Sequence, residues 1–209
     1  MKNVKENITP NFLKINSCTN PTTDKTLEYV NKRPCVMGLV LNPINNKILM
    51  VNQYRVGADE LVDEFVAGVI EEGQTPEEAM KAELLQEAGI KSEDILELSL
   101  VNKIYSSVGW TNELCYLYVI TLKPDFEQIE QSLDEGENLT YCWKNVDEVV
   151  DDFIQNHSTK VYPAKTAFLI QFMFCSILQG QVAQLMNQVT NNSCSCGDSC
   201  SCDHEEKNK

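Results

Sequence analysis

The stretch GVIEEGQTPEEAMKAELLQEAGI, residues 68–90, decides the fold. It begins at a glycine that ends a short apolar run, and it continues through an acidic turn into a segment with helix signals. Thr75 is suited to be the N-cap, Pro76 suits the first helical position, and Glu78 completes a Thr-x-x-Glu capping box. Gly89 is the left-handed residue expected just after a helix end. The stretch therefore predicts a short strand, a tight turn and a well-capped helix.

Three polar residues of this predicted helix, Glu83, Gln86 and Glu87, are three and four positions apart. This spacing places them on one face of the helix. Two carboxylates four positions apart repel each other by only roughly 0.2–0.5 kcal/mol on an exposed helix, so a solvated acidic face is one interpretation. The alternative is a platform for a divalent cation, whose charge compensates packed carboxylates.

Residues 68–90 closely resemble the 23-residue signature of the Nudix hydrolases, G-x5-E-x7-R-E-U-x-E-E-x-G-U, in which U is an aliphatic residue. The chain departs from the signature at three positions, where Gln74, Ala82 and Gln86 stand in place of Glu, Arg and Glu. The positions that match are Gly68, Glu83, Leu84, Glu87, Gly89 and Ile90.

The resemblance extends from about residue 27 to about residue 178 and points to the ADP-ribose pyrophosphatase branch of the family. It implies an α/β fold, a Nudix α/β/α sandwich with a mixed sheet and an N-terminal strand arm. Enzymes of this branch split the diphosphate of ADP-ribose or a related nucleoside diphosphate sugar into a nucleoside monophosphate and a sugar phosphate. We therefore expect hydrolysis of such a small nucleotide with Mg²⁺, or Mn²⁺ as the alternative metal. The other segments that carry the resemblance are residues 52–55, 64–68, 106–113, 134–137 and 164–166.

The resemblance also implies a set of metal ligands. A diphosphate repels an attacking hydroxide, so a metal ion must neutralise its charge and orient the water. The expected ligands are the backbone carbonyl of Ala67 and the side chains of Glu83, Gln86 and Glu87. Glu83 and Glu87 are also expected to be catalytic. Gln86 coordinates through its amide oxygen without adding charge, so additional metal ions should bind more weakly.

A general base must also lie within reach of the attacking water. In the branch the base comes from an acidic loop, and residues 131–138 occupy its place. Glu135 matches the position of the base and Glu137 is the reserve, while an ordinary solvated turn is the alternative interpretation. Arginine binds phosphate oxygens in a bidentate manner, and this chemistry suits two of the residues expected to contact substrate. The residues expected to contact the substrate are Arg33, Arg55, Glu113 and Glu137, and the two arginines are the ones suited to phosphate.

The departures from the signature favour a second hypothesis, a Nudix-like module that binds such a nucleotide with weak or no hydrolysis. Ala82 replaces an arginine that positions the acidic ligands, and Gln74 replaces the acid that pairs with this arginine. The two losses can compensate each other, because neither partner is left unpaired. A third hypothesis is a Nudix hydrolase of a dinucleotide cofactor or of capped RNA.

Composition narrows the class of protein. The chain has 209 residues, 43% of them hydrophobic, and a formal net charge of −14, which disfavours nucleic acid as a partner. Acidic residues are concentrated in residues 59–97, which contain 13 acidic and two basic side chains. We see no apolar run near the roughly 20 residues that span a bilayer, and the first residues lack the apolar stretch of a signal peptide. These features predict a cytoplasmic protein without a membrane partner.

We expect three parts along the chain. Residues 1–33 form an N-terminal arm that contributes to a homodimer, as in the branch the chain resembles, and residues 34–190 form the Nudix domain. Residues 191–209 form a cysteine-rich tail that is disordered without a ligand. The tail cysteines follow the pattern Cys-x-Cys-x3-Cys-x-Cys, which can bind Zn²⁺ or Cu⁺ as thiolates or act as a redox-sensitive appendage. They are Cys194, Cys196, Cys200 and Cys202.

Overall fold

The computed structural model describes residues 13–155 and 161–193. The tail cysteines and their predicted Zn²⁺ or Cu⁺ site lie outside these residues. A short 3-10 turn, Ser92–Asp94, precedes the seventh strand. The strands and helices are β1 (Lys14–Thr19), β2 (Thr26–Asn31), β3 (Cys35–Asn42), β4 (Lys47–Arg55), β5 (Glu60–Glu64), β6 (Val66–Val69), α1 (Pro76–Ala88), β7 (Ile95–Tyr105), β8 (Leu114–Leu122), β9 (Leu139–Asn145), α2 (Val146–Ile154) and α3 (Ala164–Ser193).

Strand β3 is at the centre of a seven-stranded mixed sheet. It pairs in parallel with β8 and antiparallel with β4 and β6. Strand β4 continues the sheet through antiparallel pairs with β5 and β9, and β8 pairs antiparallel with β7. The mixed sheet with its flanking helices confirms the predicted α/β class.

Helices lie on both faces of strand β3. Its residues Val36 and Val40 belong to the same buried apolar cluster as Leu84 of α1. Cys35 points to the opposite face, because successive side chains of a strand alternate. On that face the Nζ atom of Lys165, in the first turn of α3, lies 3.6 Å from the Cys35 sulfur. The sheet is therefore the middle layer of the predicted sandwich.

Helix α1 begins and ends as predicted. The Thr75 hydroxyl accepts a hydrogen bond from the Glu78 N–H at 3.3 Å, and the Glu78 carboxylate accepts one from the Thr75 N–H at 2.8 Å. Gly89 ends the helix with φ of 64°, in the left-handed region. A Cβ atom at Gly89 would lie 1.9 Å from the carbonyl oxygen of Ile129, so both the conformation and the close backbone approach require glycine.

Strands β1 and β2 form a separate two-stranded antiparallel sheet, which is the predicted N-terminal strand arm. Hydrogen bonds attach the end of this arm to the loop before β8. The Val30 N–H donates to the Trp110 carbonyl at 2.7 Å, and the Thr111 hydroxyl donates to the Val30 carbonyl at 3.0 Å. The Lys32 N–H donates to the Asn112 side chain at 2.8 Å. The arm thus brings residues 30–33 next to the end of the β7–β8 loop.

Strand β5 was not predicted, because its acidic composition is atypical of a strand. It pairs with the end of β4, and its Asp63 and Glu64 are buried. Lys144 donates to the Asp63 carboxylate at 2.5 Å, and the Asn52 side chain donates to it at 2.8 Å. These partners compensate the buried charge and allow an acidic strand within the sheet.

Two compact units divide the chain, residues 1–170 and residues 171–209, so α3 begins in the first unit. Thr166, Leu169 and Ile170 of this first part are buried. The segment Ala164–Gln184 has 21 residues with a mean hydropathy of 1.4, which is enough to cross a membrane by length and composition. The prediction that no apolar run approaches this length is therefore wrong, although core helices of soluble proteins pass the same test. The predicted boundaries at residues 33 and 190 stay predictions.

The substitution Gly89→Ala should destabilise the protein by about 2 kcal/mol or more, because it strains a left-handed residue and meets the Ile129 backbone. Urea unfolding followed by circular dichroism measures this change. Gly57→Ala is the control, since a Cβ atom there meets nothing within 4 Å. Equal unfolding midpoints for the two variants would show that the close approach at Gly89 is not a constraint.

Candidate active site

A pocket of about 560 Å³ opens beside helix α1 and strand β6. Its volume falls within the roughly 300–1,000 Å³ typical of small-molecule sites. Glu135, the predicted base, is not among the residues that line it. The predicted site residues that do line it are Arg33, Arg55, Ala67, Glu83, Gln86, Glu87, Glu113 and Glu137.

Two glutamates of α1 lie against the backbone of β6 and form the acidic side of the pocket. A Cβ atom at Gly68 would lie 1.6 Å from a carboxylate oxygen of Glu83, so the absence of a side chain at Gly68 makes room for Glu83. Glu87 is only 5% exposed and accepts a hydrogen bond from the Ala67 N–H at 3.2 Å. Local packing therefore fixes both carboxylates beside the same short strand.

Burial and mutual repulsion make these two carboxylates hard to ionise. Burial raises the pKa of Glu83 to about 7, and the charges of Glu137, Asp134 and Glu71 add to the shift. Burial also raises the pKa of Glu87 to about 8, with Glu83 and Glu137 adding to it, while the Ala67 hydrogen bond opposes it. The Arg55 charge also opposes the shift of Glu87 without outweighing burial, so both carboxyl groups are partly or largely protonated near neutral pH.

A divalent cation fits this acidic side. Within residues 13–155 and 161–193, no group of three or more His, Cys, Asp or Glu side chains is arranged to hold a metal ion. Mg²⁺, however, is commonly bound by one or two carboxylates together with waters and substrate phosphates. Buried, mutually repelling carboxylates such as Glu83 and Glu87 meet that requirement, and Gln86 lines the same pocket.

Four basic side chains also line the pocket, and together they are called its basic side here. Arg33 forms a salt bridge with Glu71, and the Arg55 Nε atom lies 2.5 Å from a carboxylate oxygen of Glu64. Lys32 and Lys165 also line the pocket, although no role was predicted for either of them. Two sequence signals could have found them. Lys32 is adjacent to a predicted substrate-binding residue, and Lys165 lies within one of the segments that carry the resemblance.

Glu113 holds the two lysines in place. Its carboxylate lies 3.0 Å from the Lys32 Nζ atom and 3.2 Å from the Lys165 Nζ atom, and it also accepts a hydrogen bond from Ser106. Burial opposes ionisation of Glu113, but the Ser106 hydrogen bond and the two lysine charges outweigh it and lower its pKa to about 2. Glu113 is therefore ionised, and its charge is already compensated by these lysines.

The positions that depart from the signature lie in the same pocket. The Gln74 side-chain oxygen accepts a hydrogen bond from the Glu71 N–H at 3.1 Å and so supports the turn that carries Glu71. Arg33 pairs with that glutamate from the arm side. Ala82 also lines the pocket and contributes no charge. The family signature implies an ion pair between positions 74 and 82. In this protein the ion pair beside the acidic turn instead joins Arg33 and Glu71.

The acidic loop supplies two further carboxylates. The Glu137 N–H donates to the Asp134 carbonyl at 3.0 Å, and the Asp134 N–H donates to the Glu137 carboxylate at 3.3 Å. Gly136 has φ of 89°, which closes this turn. Both Asp134 and Glu137 line the pocket and raise the pKa of Glu83. The assignment of Glu135 as the base stays a prediction.

Comparison with known proteins agrees with this geometry. A family model described as NUDIX domain matches residues 31–165, and the chain belongs to the Nudix family. Over 153 residues it is 27% identical to the ADP-ribose pyrophosphatase of Bacillus subtilis (strain 168), covering 73% of this chain and 79% of that protein. Over 161 residues it is 25% identical to the methanol dehydrogenase activator of Bacillus methanolicus, covering 77% of this chain and 83% of that protein.

These matches confirm the predicted resemblance to the ADP-ribose pyrophosphatase branch. They support hydrolase activity on a small nucleotide-derived substrate. Nudix hydrolases generally use Mg²⁺.

The raised pKa values of Glu83 and Glu87 predict a metal-linked dependence of stability on pH. An acid whose pKa is higher in the folded than in the unfolded protein binds more protons when folded, so stability falls as pH rises through that interval. Without metal, the free energy of unfolding should therefore decrease between about pH 5 and about pH 8. Mg²⁺ should raise the melting temperature more at about pH 8 than at about pH 6.

Thermal unfolding of wild type, Glu87→Gln and Glu77→Gln measures this effect. Glu87→Gln should remove much of the pH dependence and of the Mg²⁺ response, because it removes one of the ionising carboxylates. Glu77 is an exposed residue of the same helix outside the pocket, so Glu77→Gln should behave as wild type. A Glu87→Gln variant with an unchanged Mg²⁺ response would contradict a metal site at this carboxylate.

Proposed function

We propose that the protein hydrolyses the diphosphate of ADP-ribose, or of a related nucleoside diphosphate sugar, to a nucleoside monophosphate and a sugar phosphate with Mg²⁺. Mn²⁺ is the alternative metal. The observation that carries this proposal is that one pocket is lined both by the carboxylates of Glu83 and Glu87 and by four basic side chains. A diphosphate with a divalent cation matches that distribution of charge. The 27% identity to a protein named ADP-ribose pyrophosphatase supports the same substrate class.

The basic side of the pocket would bind the substrate. Arg33 and Arg55 offer bidentate contacts to phosphate oxygens, while Lys32 and Lys165 offer point charges. Each is paired with a carboxylate, so its position is fixed before substrate arrives. A preorganised site loses less side-chain entropy on binding.

The acidic side would hold the metal through Glu83 and Glu87, with Gln86 and the Ala67 carbonyl as further oxygen ligands. Bound there, Mg²⁺ would neutralise the diphosphate and make a water molecule more acidic. Gln86 adds no charge, so we expect fewer or weaker metal ions than the full signature would bind.

We propose Glu137 as the general base that takes the proton from the attacking water. Of the two loop glutamates considered from the sequence, it is the one that lines the pocket. It also lies near enough to Glu83 and Glu87 to raise the pKa of both. Glu135 remains the alternative, since both residues belong to one loop with a glycine between them.

Substitution of the base should reduce turnover without reducing substrate affinity. Glu137→Gln should lower turnover by roughly 10²–10⁴-fold, the usual contribution of a general base, and leave the affinity for ADP-ribose within a few-fold. Calorimetric titration measures the affinity. A coupled assay, in which phosphatase releases phosphate from the monoester products, measures turnover. Glu130→Gln, an exposed acid of the preceding segment, is the matched control. A large loss in Glu135→Gln with normal turnover in Glu137→Gln would assign the base to Glu135.

The same two measurements separate an enzyme from a binding module. The three uncharged positions of the signature, Gln74, Ala82 and Gln86, favour the binding module as the second candidate. Wild-type protein that binds ADP-ribose tightly and releases no monophosphate would establish that alternative. Dinucleotide cofactors and a capped oligonucleotide belong in the same panel, and faster hydrolysis of either would overturn the proposed substrate.

We also propose that the N-terminal arm contributes to a homodimer. A two-stranded sheet alone is marginally stable, and the arm exposes the apolar side chains of Ile15 and Leu27. Leu27 also lines a cavity of about 400 Å³ together with Tyr105 and Val108, both of them exposed. A second copy of the chain over this surface would remove these apolar groups from water.

Light scattering coupled to size exclusion tests the dimer. Wild type should have the mass of two chains, and Leu27→Glu should shift it towards one chain because a charge would be buried in the interface. Leu96→Glu is the control, since Leu96 is exposed on β7 away from the arm cavity. A wild-type protein with the mass of one chain would contradict the proposal.

We propose a cytoplasmic location. The described cysteines are free thiols, as intracellular reducing compartments maintain them. Fractionation of cells tests this location, and recovery in the membrane pellet would instead assign a membrane role to the apolar segment Ala164–Gln184.

A further inference from the structure

Two cysteines lie side by side where strands β3 and β8 meet the pocket. Cys35 and Cys115 are direct partners in the parallel pairing of these strands, so both side chains point to the same face of the sheet. Neighbouring strands are about 4.8 Å apart, within the roughly 4.4–6.8 Å that Cα atoms of a disulfide usually span. Both residues are free thiols, and their side chains are hydrogen-bonded to each other.

Their surroundings differ in a way that assigns them different chemistry. Cys35 lines the pocket and is 6% exposed, and its sulfur lies 3.6 Å from the Lys165 ammonium group. Cys115 is completely buried behind it. Of the two, Cys35 is therefore the residue that a small molecule in the pocket can approach.

The electrostatics agree with this geometry. The hydrogen bond from Cys115 lowers the pKa of Cys35, and the Lys165 charge adds to the effect, against burial and the Glu113 charge. The same hydrogen bond and burial raise the pKa of Cys115. Thiolates, not thiols, react with oxidants. Cys35 is therefore suited to be the attacking sulfur and Cys115 to be the thiol that resolves it.

We propose that Cys35 and Cys115 are an oxidisable pair at the floor of the pocket, which a hydroperoxide converts into a reversible disulfide between β3 and β8. The Cys35 thiolate attacks one peroxide oxygen, the O–O bond breaks, and the departing hydroxide takes up a proton to form water. Cys35 is then a sulfenic acid. The Cys115 sulfur attacks it, a second water leaves with the Cys115 proton, and the disulfide forms. With hydrogen peroxide, the two sulfurs together lose two electrons and the peroxide is reduced to two waters.

The disulfide would change the basic side of the pocket. In the reduced protein, Lys165 lies between the Cys35 sulfur and the Glu113 carboxylate. A disulfide carries no charge and cannot ionise, so oxidation would remove an ionisable partner of Lys165 and leave the Glu113 carboxylate beside it. The pocket would then bind anionic ligands with a different affinity. This inference depends on the pocket and its thiols and does not require that the protein hydrolyse a nucleotide.

Peptide mapping of the full-length protein tests the proposal. Purified reduced protein is treated with hydrogen peroxide, the peroxide is destroyed, and the remaining thiols are alkylated in denaturant. Cleavage after lysine places Cys35 and Cys115 in separate peptides. Because Lys123 precedes proline, the Cys115 peptide can extend to Lys144 and include Cys142. Fragmentation of the linked peptide then identifies the cysteine that is joined to Cys35. We expect a linked peptide that contains both residues, two hydrogen atoms lighter than its parts, which dithiothreitol separates.

Three variants make the test specific. Cys35→Ser should leave Cys115 fully alkylated, and Cys115→Ala should accumulate a Cys35 sulfenic acid that dimedone traps. Cys142→Ala is the matched control, because this half-buried cysteine of β9 lies outside the pocket, and the yield of the linked peptide should not change.

Oxidation of Cys18 or Cys175, both exposed, while Cys35 and Cys115 remain alkylatable, would overturn the proposal. Should Cys115→Ala fail to fold, the wild-type map and Cys35→Ser decide it by themselves.

Discussion

The burial of two carboxylates against the backbone of β6 is the constraint on which the site depends. Glu83 and Glu87 repel each other and are shielded from water, which is unfavourable for a folded protein unless a positive charge binds there. Two local features make this arrangement possible. The absence of a side chain at Gly68 leaves room for Glu83, and the Ala67 N–H donates a hydrogen bond to Glu87. A well-capped helix then holds both in a fixed orientation.

The basic side of the pocket differs from the acidic side, because its charges are compensated within the protein. Its lysines and arginines are each paired with a carboxylate, so the folded chain compensates their charges before any ligand arrives. The pocket therefore combines two carboxyl groups that favour a bound cation with lysine and arginine side chains that are held in position by ion pairs. The proposed metal-bound diphosphate matches this combination, because it carries a cation for the carboxylates and negative oxygens for the basic side chains.

Local signals in the sequence were sufficient to predict the helix that carries the acidic side of the pocket. Helix α1 has its cap, its acidic face and its terminal glycine within residues 75–89, so spacing alone predicts that Glu83, Gln86 and Glu87 share one face of the helix. The lysines were missed because their positions depend on Glu113, which is distant from both in the chain. Strand β5 was missed because its buried Asp63 is compensated by Lys144, 81 residues away. The sequence predicted a long apolar-to-amphipathic helix over residues 164–189, but its spanning length was not recognised, because scattered polar residues interrupt it without lowering its mean hydropathy below the spanning range.

Contacts between distant parts of the chain, just before β3 and just before β8, also affect the order in which the protein folds. The acidic helix and its strand can form from one continuous segment, whereas the hydrogen bond between Lys32 and Asn112 closes a loop of 80 residues. Closing such a loop costs conformational entropy before its contacts repay it, and non-local pairing is slow. Helix α1, whose cap and terminal glycine lie within residues 75–89, can therefore form before the arm joins the loop that precedes β8. During synthesis residues 75–89 likewise emerge before β8, so the central pairing of β3 with β8 can be added only after the segment of helix α1 has been made.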